Sequence, residues 1–122
     1  MLWFLATPYR FYQYGRMRAY EEAITQAALL VGNGVQVYSP IVHCAPIEFT
    51  NRIPTSFNWY EYNVLFMQHC DGLIVCRMVG WQQCPDVVRA TTYFANKPMV
   101  PMMPNQLPDL SMYRGSRWEA GA

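Results

Sequence analysis

Arg77, Gly80 and Trp81 follow directly on the apolar run Leu73-Ile74-Val75-Cys76. A run this short, bounded by Asp71-Gly72 and Gly80-Trp81, reads as a fully buried strand. Such strands belong to parallel sheets covered on both faces, and those sheets bind ligands beyond the carboxyl ends of their strands. The three residues are therefore expected at the lip of a site. Trp81 could stack on a nucleobase or simply cap the core. Arg77, Arg89, Arg10 and the distal Arg114 and Arg117 offer planar guanidinium forks suited to phosphate or pyrophosphate; the plain alternative for each is a solvated surface charge. Tyr9, just past the first apolar run, offers the polar tip that apolar pockets use, or it is an ordinary loop tyrosine. Thr7 and Pro8 shape that loop, with a backbone role ahead of a side-chain one. His43 is read either as a ligand contact or as structural. Asp71 is expected to bond nearby backbone amides. Asp86, near a helix start, argues against a phosphate resting on that terminus.

The elements that must position these residues follow from pattern. Leu2–Ala6 reads as a first buried strand, ended by Pro8, which cannot donate to a ladder. After a polar, aromatic stretch from Arg10 to Arg16, the stripe Tyr20, Ala23, Ile24, Ala27, Ala28, Val31 predicts a helix packed on a sheet, closed by Gly32-Asn33-Gly34. Val35–Tyr38 is the second strand, so the crossover is right-handed and parallel. Ile41–Phe57 carries Pro46 and Pro54 without clear periodicity and is expected to be a long loop, functional or partly mobile. Asn58 predicts an N-cap for a helix through Trp59, Tyr62, Leu65, Phe66 and His69. Cys84-Pro85-Asp86 opens another helix, with Pro85 in its first turn. Met99–Met103 is a fourth strand near an edge, because of Pro101. Four strands alternating with three helices predict a small flavodoxin-like or Rossmann-like three-layer α/β domain with a four-stranded or slightly larger parallel sheet. Its expected extent is residues 1–104, with a tail over 105–122 that could lie at a subunit contact.

Composition narrows the function classes. The 122 residues are 52% hydrophobic and 16% aromatic with a net charge of +1, which excludes a disordered chain and gives no basic stripe for nucleic acid. The cysteines at 44, 70, 76 and 84 show no Cys-x-x-Cys pair or zinc-finger spacing, so buried, reduced thiols and a cytosolic chain are expected, with no metal and no cofactor. No stretch approaches the ~18 apolar residues of a membrane span, and Met1–Leu5 is too short for a signal peptide.

Four segments in order carry a resemblance: Phe4-Leu5-Ala6-Thr7-Pro8-Tyr9, Tyr38-Ser39-Pro40-Ile41-Val42-His43, Trp59-x-x-Tyr62-Asn63, and Cys70-Asp71-Gly72-Leu73-Ile74-Val75 followed by Gly80-Trp81. Together they resemble the nucleoside 2-deoxyribosyltransferase-like superfamily, in particular its small bacterial and phage branch. The resemblance spans roughly Leu2 to Val100. It implies a flavodoxin-like sheet, cleavage or transfer of N-glycosidic bonds, and homodimers or larger oligomers with sites near subunit contacts. It also implies a glutamate nucleophile in a pattern like Gly-Trp-x-x-Ser-x-Gly-Val-x-x-Glu. Alignment on Gly80-Trp81 puts Ala90 at that glutamate, or Thr91 if it slides by one residue. The counterpart of a second acid is Asn63. An alkyl group or an amide can neither attack the sugar nor carry its proton.

Three functions of different class are therefore weighed. One is a binding module that holds a nucleoside- or nucleotide-derived small molecule uncut, as a phage-type sponge or sensor of a nucleotide signal, through Thr7, Pro8, Tyr9, Arg10, His43, Asn63, Arg77, Gly80, Trp81 and Arg89. Another is an N-glycosidase or deoxyribosyltransferase whose acid comes from Glu48, Glu61, Asp86 or a neighbouring subunit, or in which water attacks directly. A third is an interaction protein using its aromatic surface and tail.

Overall fold

In a computed structural model, residues 1–113 are described. The element order is β1 (Trp3–Ala6), α1 (Arg16–Gly32), β2 (Val37–Tyr38), α2 (Pro40–Glu48), α3 (Trp59–Met67), β3 (Gly72–Cys76), α4 (Pro85–Tyr93) and β4 (Met99–Met102), followed by a 3₁₀ turn at Ser111–Tyr113. The four strands form one parallel sheet in the order β2-β1-β3-β4. This is the α/β architecture expected from the alternating pattern. Alternation along the strands divides the core. Trp3, Leu5, Ile74, Cys76, Val100 and Met102 face α1 and part of α2, whereas Phe4, Ala6, Leu73 and Val75 face α3 and α4.

Helix α2 departs from the expected loop. Ser39 caps it by accepting a hydrogen bond from the Val42 amide at 3.2 Å, and Pro40 takes the first turn, where its missing N–H costs nothing. Periodicity misses the helix because its half-buried positions Val42 and Ile47 are as apolar as its buried ones, Ile41, Cys44 and Ala45, and because Pro46 interrupts it. Two smaller shifts accompany this. Strand β2 begins at Val37 rather than Val35, and α1 buries Ala19, Ala23, Gln26 and Leu30, leaving Ile24 and Val31 exposed. The α1 stripe is thus turned from the expected one, because Gln26 is buried by bonding both the side chain and the backbone amide of Asn105, at 3.0 and 2.8 Å.

The expected α3 cap, Asp71 bond and edge strand are present. Asn58 caps α3 by accepting from the Glu61 amide at 3.0 Å, and Asp71 accepts from the Leu2 amide at 2.7 Å. Pro101 lies on edge strand β4, whose exposed and buried residues alternate. Gly72 is required: a Cβ there would lie 2.6 Å from the Trp3 ring and 2.8 Å from the Pro98 carbonyl oxygen. The segment expected as a tail begins as part of the domain, since Leu110 is buried in the core and Tyr113 meets the Trp3 ring edge-on at 5.2 Å. Arg114 and Arg117 lie outside the described residues. Among the described residues, no helix is long and apolar enough to cross a membrane, and no group of three or more His, Cys, Asp or Glu is placed to hold a metal.

Candidate functional site

With the order β2-β1-β3-β4, the chain leaves β1 to one side and later returns on the other. The carboxyl ends of β1 and β3 therefore form the switch point where such sheets bind ligands. A cleft opens at the β1 end, between α2, α3 and the start of α4. Thr7, Tyr9 and Arg10 enter it from the β1–α1 loop, Cys44 and Glu48 from α2, Trp59, Tyr60 and Asn63 from α3, and Asp86 from α4. Phe4, Ile41 and Met67 are among its apolar lining. Its cavity volume is about 40 Å³, room for about three waters.

The cleft holds two carboxylates, and neighbouring loop residues hold one each. Tyr9 donates its hydroxyl to Glu48 Oε1 at 2.7 Å, and the next residue, Arg10, faces Asp86 with 3.5 Å between Nε and Oδ2. Glu48 also accepts from Arg16 Nη1 at 2.8 Å, and that guanidinium lies over the Tyr9 ring. Burial pushes the Asp86 carboxyl above the ordinary carboxylate range, opposed by Arg10 and Arg89 and reinforced by the charge of Glu48. Burial, together with the bond to Glu48, likewise raises the Tyr9 hydroxyl, so it serves as a donor. The Cys44 thiol is pushed up to about 12 by burial and sits 3.5 Å from Asn63 Oδ1. Thr7 Oγ1 is buried with no hydrogen-bond partner, a feature that calls for explanation in a native fold.

Of the residues expected at a site, Thr7, Tyr9, Arg10 and Asn63 share this cleft. The others lie elsewhere. Pro8 and Gly80 line a neighbouring space of about 190 Å³ beside Phe11; this space shares Arg10 with the cleft. Arg77 stacks over Trp81 at 5.3 Å, and Trp81 packs against the core on the α3–α4 side. Arg89 covers the Tyr60 ring at 5.2 Å, outside the lining. His43 is exposed on α2, where its ring stacks on Tyr62 and Nε2 lies 2.8 Å from the Tyr62 hydroxyl. Ala90 is buried among Phe4, Val87 and Phe94 rather than in the cleft. Trp59, Tyr60 and Arg16 were not expected from the sequence as site residues. Arg16 carried a signal, because it stands at the N-terminal end of α1, which the dipole disfavours for a cation.

The family model for a domain of unknown function, DUF1937, matches residues 2–103. The chain belongs to that family. Its matched span contains every residue of the cleft. A comparison with curated proteins returns no match.

Proposed function

We propose that the cleft binds a nucleoside- or nucleotide-derived small molecule and holds it without cleaving it. One observation carries this reading: Thr7, Tyr9, Arg10 and Asn63 converge on a single cleft at the switch point, while the position aligned with a nucleophile is the buried methyl of Ala90. The resemblance to the deoxyribosyltransferase-like superfamily supports the ligand class, and the unpartnered Thr7 hydroxyl supports a polar ligand group at the β1 end. A protein of this kind would sequester or sense a nucleotide signal, acting as a homodimer or larger assembly; light scattering tests the assembly.

A second reading is favoured by Glu48 and Asp86 lining the same cleft. Asp86 stands four residues before Ala90, one helical turn earlier on the same face. A protonated Asp86 could give its proton to the departing base while Glu48 takes one from the water that attacks the anomeric carbon, as in two-carboxylate glycoside hydrolysis. Glu61 lies outside the cleft.

Calorimetric titration with the four common 2′-deoxynucleosides and their 5′-monophosphates, followed by chromatography of the recovered ligand, separates the readings. Saturable binding with intact ligand supports holding. Release of free base that disappears in Asp86→Asn supports cleavage instead. Absence of binding by all eight compounds overturns both.

A further inference from the structure

The cleft is not the largest space at this site. Arg10, Glu48 and Trp59 also line an adjoining outer chamber of about 610 Å³, against about 40 Å³ for the cleft. Arg16, Met17, Phe49 and Phe57 contribute to its walls, as does the segment between α2 and α3. A ligand that reaches the cleft therefore keeps most of its bulk in the chamber. The charged lining has a direction. In the cleft, Glu48 and Asp86 face one cation, Arg10; in the chamber, Arg10 and Arg16 face one carboxylate, Glu48. Carboxylates accept hydrogen bonds from hydroxyl groups, whereas guanidinium forks grip anions.

Both cations can take on a further partner. The Arg16 side chain is 57% exposed, and its bond to Glu48 engages a single terminal nitrogen. The Arg10 contact with Asp86 is long, at 3.5 Å, and its side chain is 40% exposed. Phe57 and Trp59 meet edge-to-face at 4.7 Å on the chamber wall, offering aromatic surface to a planar group.

Resting on the binding reading above, we infer that the ligand is a phosphorylated nucleoside that spans both spaces. Its sugar hydroxyls point inward to Asp86 and Glu48, its phosphate lies outward by Arg16 and Arg10, and its base lies against Phe57 and Trp59. The chamber is thus a phosphate-and-base subsite, and the cleft its narrow inner end.

The test compares each 2′-deoxynucleoside with its own 5′-monophosphate by calorimetric titration at low and moderate salt, in the parent protein and in Arg16→Gln. The expected result is that the phosphate tightens binding by about tenfold or more at low salt, since charge-assisted bonds carry that much. The gain should shrink as salt rises, and Arg16→Gln should reduce the nucleotide-to-nucleoside ratio toward one. Nucleosides binding as tightly as their monophosphates would overturn this inference and leave the binding reading standing. So would a phosphate gain that Arg16→Gln does not diminish. Failure of nucleosides and monophosphates alike would instead overturn the binding reading beneath it.

Discussion

Asp86 is a carboxylate whose surroundings work against its charge. Burial, and the nearby charge of Glu48, favour its neutral form more than Arg10 and Arg89 favour the charged one. Between the ordinary value of 3.8 and the raised folded value, the native state binds more protons than the unfolded chain. Stability from this group is therefore lost as pH rises through that window. Asp86→Asn carries no such loss. Its melting temperature relative to the parent should be lowest near pH 3 and should improve toward pH 7; a relative melting temperature that stays flat or falls over that range would contradict the assignment. At this scale the sequence was partly legible. Tyr9, Arg10 and Asn63 could be named from their places beside strands and in motifs. The partnership of Arg16 with Glu48 could not, because it joins residues 32 apart in the chain, and no local pattern encodes such a meeting.

Elements divide according to how one-sided their surroundings are. Strands β1 and β3 are buried on both faces, and their uninterrupted apolar runs identify them. Helix α3 was identified by its cap, Asn58. Helix α2 was hidden, since its apolar residues lie on buried and half-buried positions alike and Pro46 stands inside it. That proline removes one N–H donor from the helix and crowds the carbonyl of Val42. Because Pro46 is exposed, replacing it disturbs no core contact. Pro46→Ala should stabilise the protein by about 1–3 kcal/mol in urea unfolding; a loss of stability would show that the proline's restriction of the unfolded chain outweighs its cost in the helix. The helix carries the cleft's Cys44 and Glu48, where the pattern predicts an irregular loop.

At the scale of the molecule, the sheet order could be narrowed from the strand-helix alternation but not completed, because pairing between distant strands has no local signature. The extent of the domain was also longer than the pattern suggested. Leu110 is 5% exposed within the core that α1 shares with the sheet, although it follows the last strand by eight residues in a stretch rich in turn formers. Leu110→Ala should cost about 2–4 kcal/mol, measured by chemical unfolding. A cost under about 0.5 kcal/mol, the usual range for surface positions, would show that this segment merely rests on the domain.

The central position of β1 also has a consequence in time. Its partners are Val37–Tyr38 on one side and Gly72–Val75 on the other, and the reciprocal bonds between Leu2 and Asp71 bridge 69 residues. At ribosomal speeds of about 5–20 residues per second, roughly 4–14 s separate the synthesis of β1 from that of its principal neighbour. Until then an all-apolar strand has an open edge. The nascent chain therefore passes through an interval in which Trp3-Phe4-Leu5 is exposed to other chains, and chaperone capture or crowding in that interval would govern the yield of folded protein.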